Sequence, residues 1–145
     1  MLIVELIALL SCSLFAGAAI YINVAEHPAR LECGTELAAN VFGPSYRRAS
    51  VMQASLALVA TVTGLTTGLN TGADLWYLGS ALIFAVIPFT FIVIMPTNKL
   101  LLDPERRRTL VETHKLLRKW GHLHWVRSGF SLLATVLFLY SAVSV

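Results

Sequence analysis

Charge is scarce in this sequence: 13% of its residues are Asp, Glu, Lys or Arg, against 57% hydrophobic. A water-soluble domain carries about 25% charged residues, so an ordinary soluble fold is excluded. No Lys or Arg occurs before Arg30, after Arg127, or between Arg48 and Lys99. The first apolar run therefore lacks the basic start of a secretory signal, with Glu5 its only early charge, and reads as a retained helix. The two cysteines, Cys12 and Cys33, form no CxxC motif, which leaves a thiol–disulfide relay without support. No HxxxH or HxxE pair occurs, and on one helix His122 and His124 point about 200° apart, so no metal site is assigned. The basic run Arg106–Arg108 with Lys115, Arg118 and Lys119 has no aromatic interleaving, which argues against nucleic acid as a partner.

What the sequence does contain is four apolar segments, near residues 2–22, 49–69, 76–95 and 126–145. Each approaches the roughly 20 residues needed to cross a bilayer as a helix. The predicted fold is all-α: one integral membrane domain over residues 1–145, built as a four-helix transmembrane bundle. A short amphipathic cytoplasmic helix precedes the last span. With four crossings, stretches 23–48 and 96–125 share one side and hold every basic residue but Arg127, which enters the last span. The positive-inside rule makes that side cytoplasmic and both termini non-cytoplasmic. The bilayer is the expected partner.

Local signals refine this outline. Ala16, Gly17, Ala18 and Ala19 permit a close helix contact on the first span, and Pro28 is expected to end or kink it. Gly34, Gly43 and Pro44 break the following loop, leaving room for a short helix near 35–41. On the second span Ser50, Ala54, Ala57, Thr61, Gly64 and Gly68 form a stripe of small residues suited to helix packing within one chain or in a homo-oligomer. Trp76 and Tyr77 read as interfacial anchors, and Pro88 as a kink. Asp103-Pro104 reads as a helix start, with Leu110, Val111, His114 and Leu117 as the apolar edge of that helix.

Trp120, His124, Arg127 and Ser131 recur at helical spacing and share one face at the mouth of the last span. Arg127 at the membrane boundary requires a partner, and Glu26 is the expected ion pair. Gln53 serves either as an interhelical hydrogen-bond donor or as a lining residue. Together His27, Asn98, Trp120, His124 and Arg127 bound a candidate pocket at the cytoplasmic rim. There a His can act as a general base toward a phenol or activated C–H group. Arg127 can stabilise the resulting anion, Trp120 can stack on an aromatic ring, and oxygen can react with the carbanion without a metal. The same residues also suit a plainer role, as headgroup anchors and helix caps.

Gly17, His27-Pro28, Met95-Pro96-Thr97-Asn98-Lys99 with Leu101-Leu102, and Trp120-Gly121-His122-Leu123-His124-Trp125-Val126-Arg127 together resemble the DUF1772 family. These are small four-span membrane proteins that include the fungal anthrone oxygenases. The resemblance implies oxidation of an anthrone to an anthraquinone by molecular oxygen with no conventional cofactor. Its implied catalytic residues are His27, His124, Arg127 and Asn98. Trp120 is also among its matched positions, and Glu26 and Gln53 join it as candidate substrate contacts on the residue reading above. The alternative is a non-catalytic membrane protein that binds a lipid or a partner.

Overall fold

A computed structural model describes residues 1–103 and 109–144. Helix α1 (Leu2–Tyr21) passes through a π-turn (Ile22–Glu26) into α2 (His27–Glu32). After Cys33-Gly34 comes α3 (Thr35–Thr71), and after Gly72-Ala73 comes α4 (Asp74–Phe89). A second π-turn (Thr90–Ile94) leads to α5 (Met95–Leu102), and α6 (Leu110–Val143) completes the bundle. Four continuous helical stretches, Leu2–Glu32, Thr35–Thr71, Asp74–Leu102 and Leu110–Val143, are long and apolar enough to cross a membrane.

The helices outrun their spans. At 1.5 Å per residue, α3 with its 37 residues extends about 55 Å, well beyond a hydrocarbon core of about 30 Å. The surplus lies at the basic end, so the expected loop over 29–48 is largely helix. The break comes at Gly34, whose φ of 98° suits a residue without a Cβ, while Pro44 is accommodated inside α3. Likewise the amphipathic segment from Leu110 runs without interruption into the last span. Its cap is Thr109, in a reciprocal capping box with Glu112. Asp103 ends α5 instead, and Pro104 lies outside the described residues. Of the expected apolar edge, Leu117 is buried, whereas Leu110 and Val111 are exposed.

Both π-turns have the same local origin. Each stops one residue short of an X-Pro pair, His27-Pro28 or Met95-Pro96, and proline has no N–H to continue the α-helical ladder. The residue before it reaches back five positions, His27 N–H to the Ile22 carbonyl and Met95 N–H to the Thr90 carbonyl. The extra residue turns the rest of the helix by about 100° relative to an unbroken one. Pro28 therefore does not end the first helix. It shifts the register so that Asn23 and His27 are both buried.

Two apolar clusters fill the interior. One includes Phe15, Ala57, Ala60, Trp76, Ile83 and Phe138. The other, at the basic end, joins Ile22, Ala38, Phe42, Ile94, Leu117 and Trp120. Trp76 is thus a core residue against Phe138, at 4.8 Å between ring centroids, rather than an interfacial anchor. The small-residue stripe divides. Ala57, Thr61, Gly64 and Gly68 are buried within the chain, while Ala54 is exposed. Gly17 is exposed with open space around it, so close approach on α1 falls to Ala16 and Ala19. On α3 and α6 a polar layer lies between the two clusters: Gln53 on one, His124, Arg127, Ser128 and Ser131 on the other.

Candidate functional site: a donor-lined chamber at the basic end of the bundle

The polar layer is organised from Asn23 in the first π-turn. Its Nδ2 donates to the Gly121 carbonyl at 3.0 Å, which fixes the amide with its oxygen toward α6. That oxygen accepts from His124 Nδ1 and from Ser128 Oγ, both at 2.7 Å. Only a protonated Nδ1 can donate to a carbonyl oxygen, so His124 holds its proton there. Its Nε2 has no partner among the described residues and remains a free lone pair. His27 is fixed by the same logic in the opposite tautomer, with Nε2 donating to the Leu117 carbonyl at 2.9 Å. Gly121 permits this close approach, since a Cβ at that position would lie 2.9 Å from His27 Nε2. Trp120 stands between the two imidazoles, 4.8 Å from His124 and 5.1 Å from His27 between ring centroids.

Arg127 is buried, and its partner is not Glu26. Its Nη2 donates to Gln53 Oε1 at 2.7 Å, and its guanidinium lies 5.5 Å from the Phe15 ring centroid. Among the described residues no carboxylate pairs with it. Glu26 instead binds Arg30, one helical turn on, and accepts from Ser45 Oγ at 2.7 Å. With Glu26 already held by Arg30 and Ser45, the guanidinium takes the Gln53 amide on α3.

These residues border a small, partly open chamber of about 20 Å³, lined among others by Arg30, Tyr46, Gln53, Trp120, His124 and Arg127. It has room for about one water-sized guest. Buried N–H donors without a partner belong to four of its lining residues: Arg30 Nε, Gln53 Nε2, Trp120 Nε1 and Arg127 Nε. A buried donor left unsatisfied costs about 1–3 kcal/mol, and here four occur on residues that line one small space. Tyr46, Ser50, Gln53 and Arg127 also belong to the wall of a larger groove of about 310 Å³ between α3 and α4.

Of the residues singled out from sequence, His124, Arg127, Trp120 and Gln53 thus meet at one chamber. His27 lies across the Trp120 ring and lines a separate cleft with Arg118 and His122. Glu26 reaches the chamber only through Arg30 and Ser45. Asn98 is fully buried with neither amide atom partnered, and it lines neither the chamber nor the groove. Sequence reasoning assigned no site role to Asn23, Ser128, Arg30 or Tyr46. For Asn23 a signal existed, an amide four residues from His27 on an apolar helix, where buried polar groups mark function.

A family model for anthrone oxygenase matches residues 42–137. The chain belongs to the anthrone oxygenase family. It is also similar to the anthrone oxygenase tpcL of Aspergillus fumigatus, 28% identical over 148 residues that cover 95% of this chain and 92% of that protein. No solved structure matches it. The anthrone oxygenase match includes every lining residue of the chamber except Ile22 and Arg30. Asn23 and His27 precede it.

Proposed function

We propose that this integral multi-pass membrane protein is an oxygenase that converts the methylene of an anthrone-like fused-ring phenol to a ketone with molecular oxygen. The observation that carries this reading is the chamber's lining: Arg30, Gln53, Trp120 and Arg127, each with a buried N–H donor that has no partner, and His124, whose Nε2 is free. Such a site favours an oxyanion and can accept a proton next to it. An anthrone that loses a methylene proton becomes an aromatic oxyanion, so the two demands coincide.

In the proposed sequence His124 Nε2 takes one proton from the methylene carbon through a water in the chamber. The negative charge moves to the ring oxygen, where the Arg127 and Gln53 N–H groups receive it. Oxygen takes an electron from this anion, and the radical pair joins to form a carbon–oxygen bond. The His124 proton returns to the terminal peroxide oxygen. Loss of the second methylene proton breaks the O–O bond and expels hydroxide, and proton and hydroxide leave as water. One methylene and one dioxygen are consumed and one ketone and one water are formed, with no further oxidant or reductant. His124 fits the base role better than His27, because it lines the chamber and His27 does not.

The test is oxygen uptake by purified protein in lipid nanodiscs supplied with a hydroxyanthrone. One oxygen should be consumed per anthraquinone formed, at least tenfold faster than in nanodiscs without protein. Uptake no faster than that background removes the enzymatic reading and leaves a lipid- or partner-binding protein.

The proposed orientation places the chamber on the cytoplasmic side, beneath Arg30, Arg47 and Arg48, with both termini outside. A reporter that is active only outside the cytoplasm should give signal when fused at the C-terminus and none when inserted at Gly34. The reverse pattern would invert the bundle.

A further inference from the structure

We propose that the groove between α3 and α4 is a lateral port through which a flat fused-ring phenol passes from the bilayer core into the site. Its rings lie along Ala54 and Ala57, and its ionisable edge meets Arg127 and Gln53. The inference rests on the oxyanion reading above for the orientation of the ligand, but the groove itself is a separate feature. Its volume of about 310 Å³ is at the lower end of the range for small-molecule sites, about 300–1,000 Å³. The inner chamber, about 20 Å³, is far too small for such a molecule. It fits water or oxygen.

Three observations identify the occupant. First, the outer wall is apolar and open to lipid: Val51 is 70% and Phe91 64% exposed, inside helices that cross the membrane. A ligand arriving there is one that partitions into hydrocarbon. Second, the inner end is cationic. Arg127 has no carboxylate among the described residues, and its Nε and the Gln53 amide nitrogen are buried donors without a partner. Gln53 Oε1 is engaged by Arg127, and its unpartnered amide nitrogen is left to offer hydrogens to a newcomer. An apolar body with one anionic oxygen satisfies both ends. Third, the walls suit a flat shape. Ala54 and Ala57 make one side shallow, and the other comes from the segment that Pro88 and the second π-turn widen, with Val86, Ile87, Thr90 and Phe91.

Tyr46 and Ser50 line both spaces. The reacting carbon of a ligand seated in the groove therefore comes to the wall between them, with His124 on the far side. Oxygen or a water occupies the chamber in turn, and the rings stay in the groove.

The experiment measures binding without turnover. Full-length protein in nanodiscs is titrated with 1,8-dihydroxyanthraquinone, in which the anthrone methylene is already a ketone and no turnover occurs, and tryptophan quenching gives its affinity. Ala54→Phe fills the groove from its exposed rim and should weaken binding at least tenfold. Val62→Phe, on the same helix but facing lipid outside the groove, should change it less than twofold and controls for folding. A sulfonated analogue that does not enter the bilayer should bind at least tenfold more weakly than the parent. Unchanged affinity in Ala54→Phe, equal binding of the sulfonated analogue, or no saturable binding would each overturn the port. The two proposals fail separately. Binding that Ala54→Phe weakens, without oxygen uptake on anthrones, keeps the port and ends the oxygenase reading. Uptake that Ala54→Phe does not slow does the opposite.

Discussion

His124→Gln should lower anthrone oxidation by about 10²–10⁴, the usual contribution of a positioned general base, with the protein still folded. The glutamine amide can donate to Asn23 Oδ1 as His124 Nδ1 does at 2.7 Å, so the link between α1 and α6 survives. What disappears is the free Nε2 lone pair of a residue that lines the chamber. Ser128 continues to donate to the same oxygen, and Asn23 Nδ2 remains on the Gly121 carbonyl. His27→Gln provides the comparison. Its imidazole is equally buried, but it lines a cleft on the other side of Trp120, and its loss should slow turnover less than tenfold. Initial rates of oxygen uptake at saturating anthrone, with yield and helix content measured for each variant, decide the matter. Equal losses in the two variants would withdraw His124 as the base.

That the chain folds into four helices long and apolar enough to cross a membrane was legible from its hydropathy. Inward-facing residues were harder to read. In lipid both faces of a helix are apolar, so periodicity alone says little about which one packs. The exceptions were polar residues: Trp120, His124, Arg127 and Ser131 on one stripe, all of them buried. Their partners were not legible. That Arg127 takes Gln53 rather than Glu26 depends on how far each helix extends beyond the membrane, and α3 extends much further than its apolar run suggests. The π-turns were also hidden, since Pro28 and Pro96 indicate only that a ladder bond is missing. Whether the chain then stops, kinks or widens is settled by what the neighbouring helices can accommodate. Asn23 followed from that widening, and with it the tautomer of His124.

Arg127→Met should reduce turnover by about 10²–10³, comparable to the loss of an oxyanion-stabilising donor, and it should leave the protein as stable as wild type or more so. The two halves of this expectation have one cause. A buried guanidinium whose hydrogen-bond partner is a neutral amide, with no carboxylate among the described residues, does not recover its desolvation cost. Replacing buried charges by apolar side chains of similar size is often neutral or stabilising by about 1–4 kcal/mol. Methionine fills the space beside Phe15 and leaves Gln53 with its oxygen free, a smaller cost than a stranded cation. Gln53→Leu makes the opposite change, removing the acceptor and keeping the charge. It should destabilise by about 1.5–3 kcal/mol, the worth of a hydrogen bond to a charged group. Thermal unfolding in detergent ranks the three proteins, and oxygen uptake supplies the other axis. A purely structural Arg127 would lower both stability and activity when replaced by methionine. A guanidinium retained for its effect on a bound anion should cost activity alone.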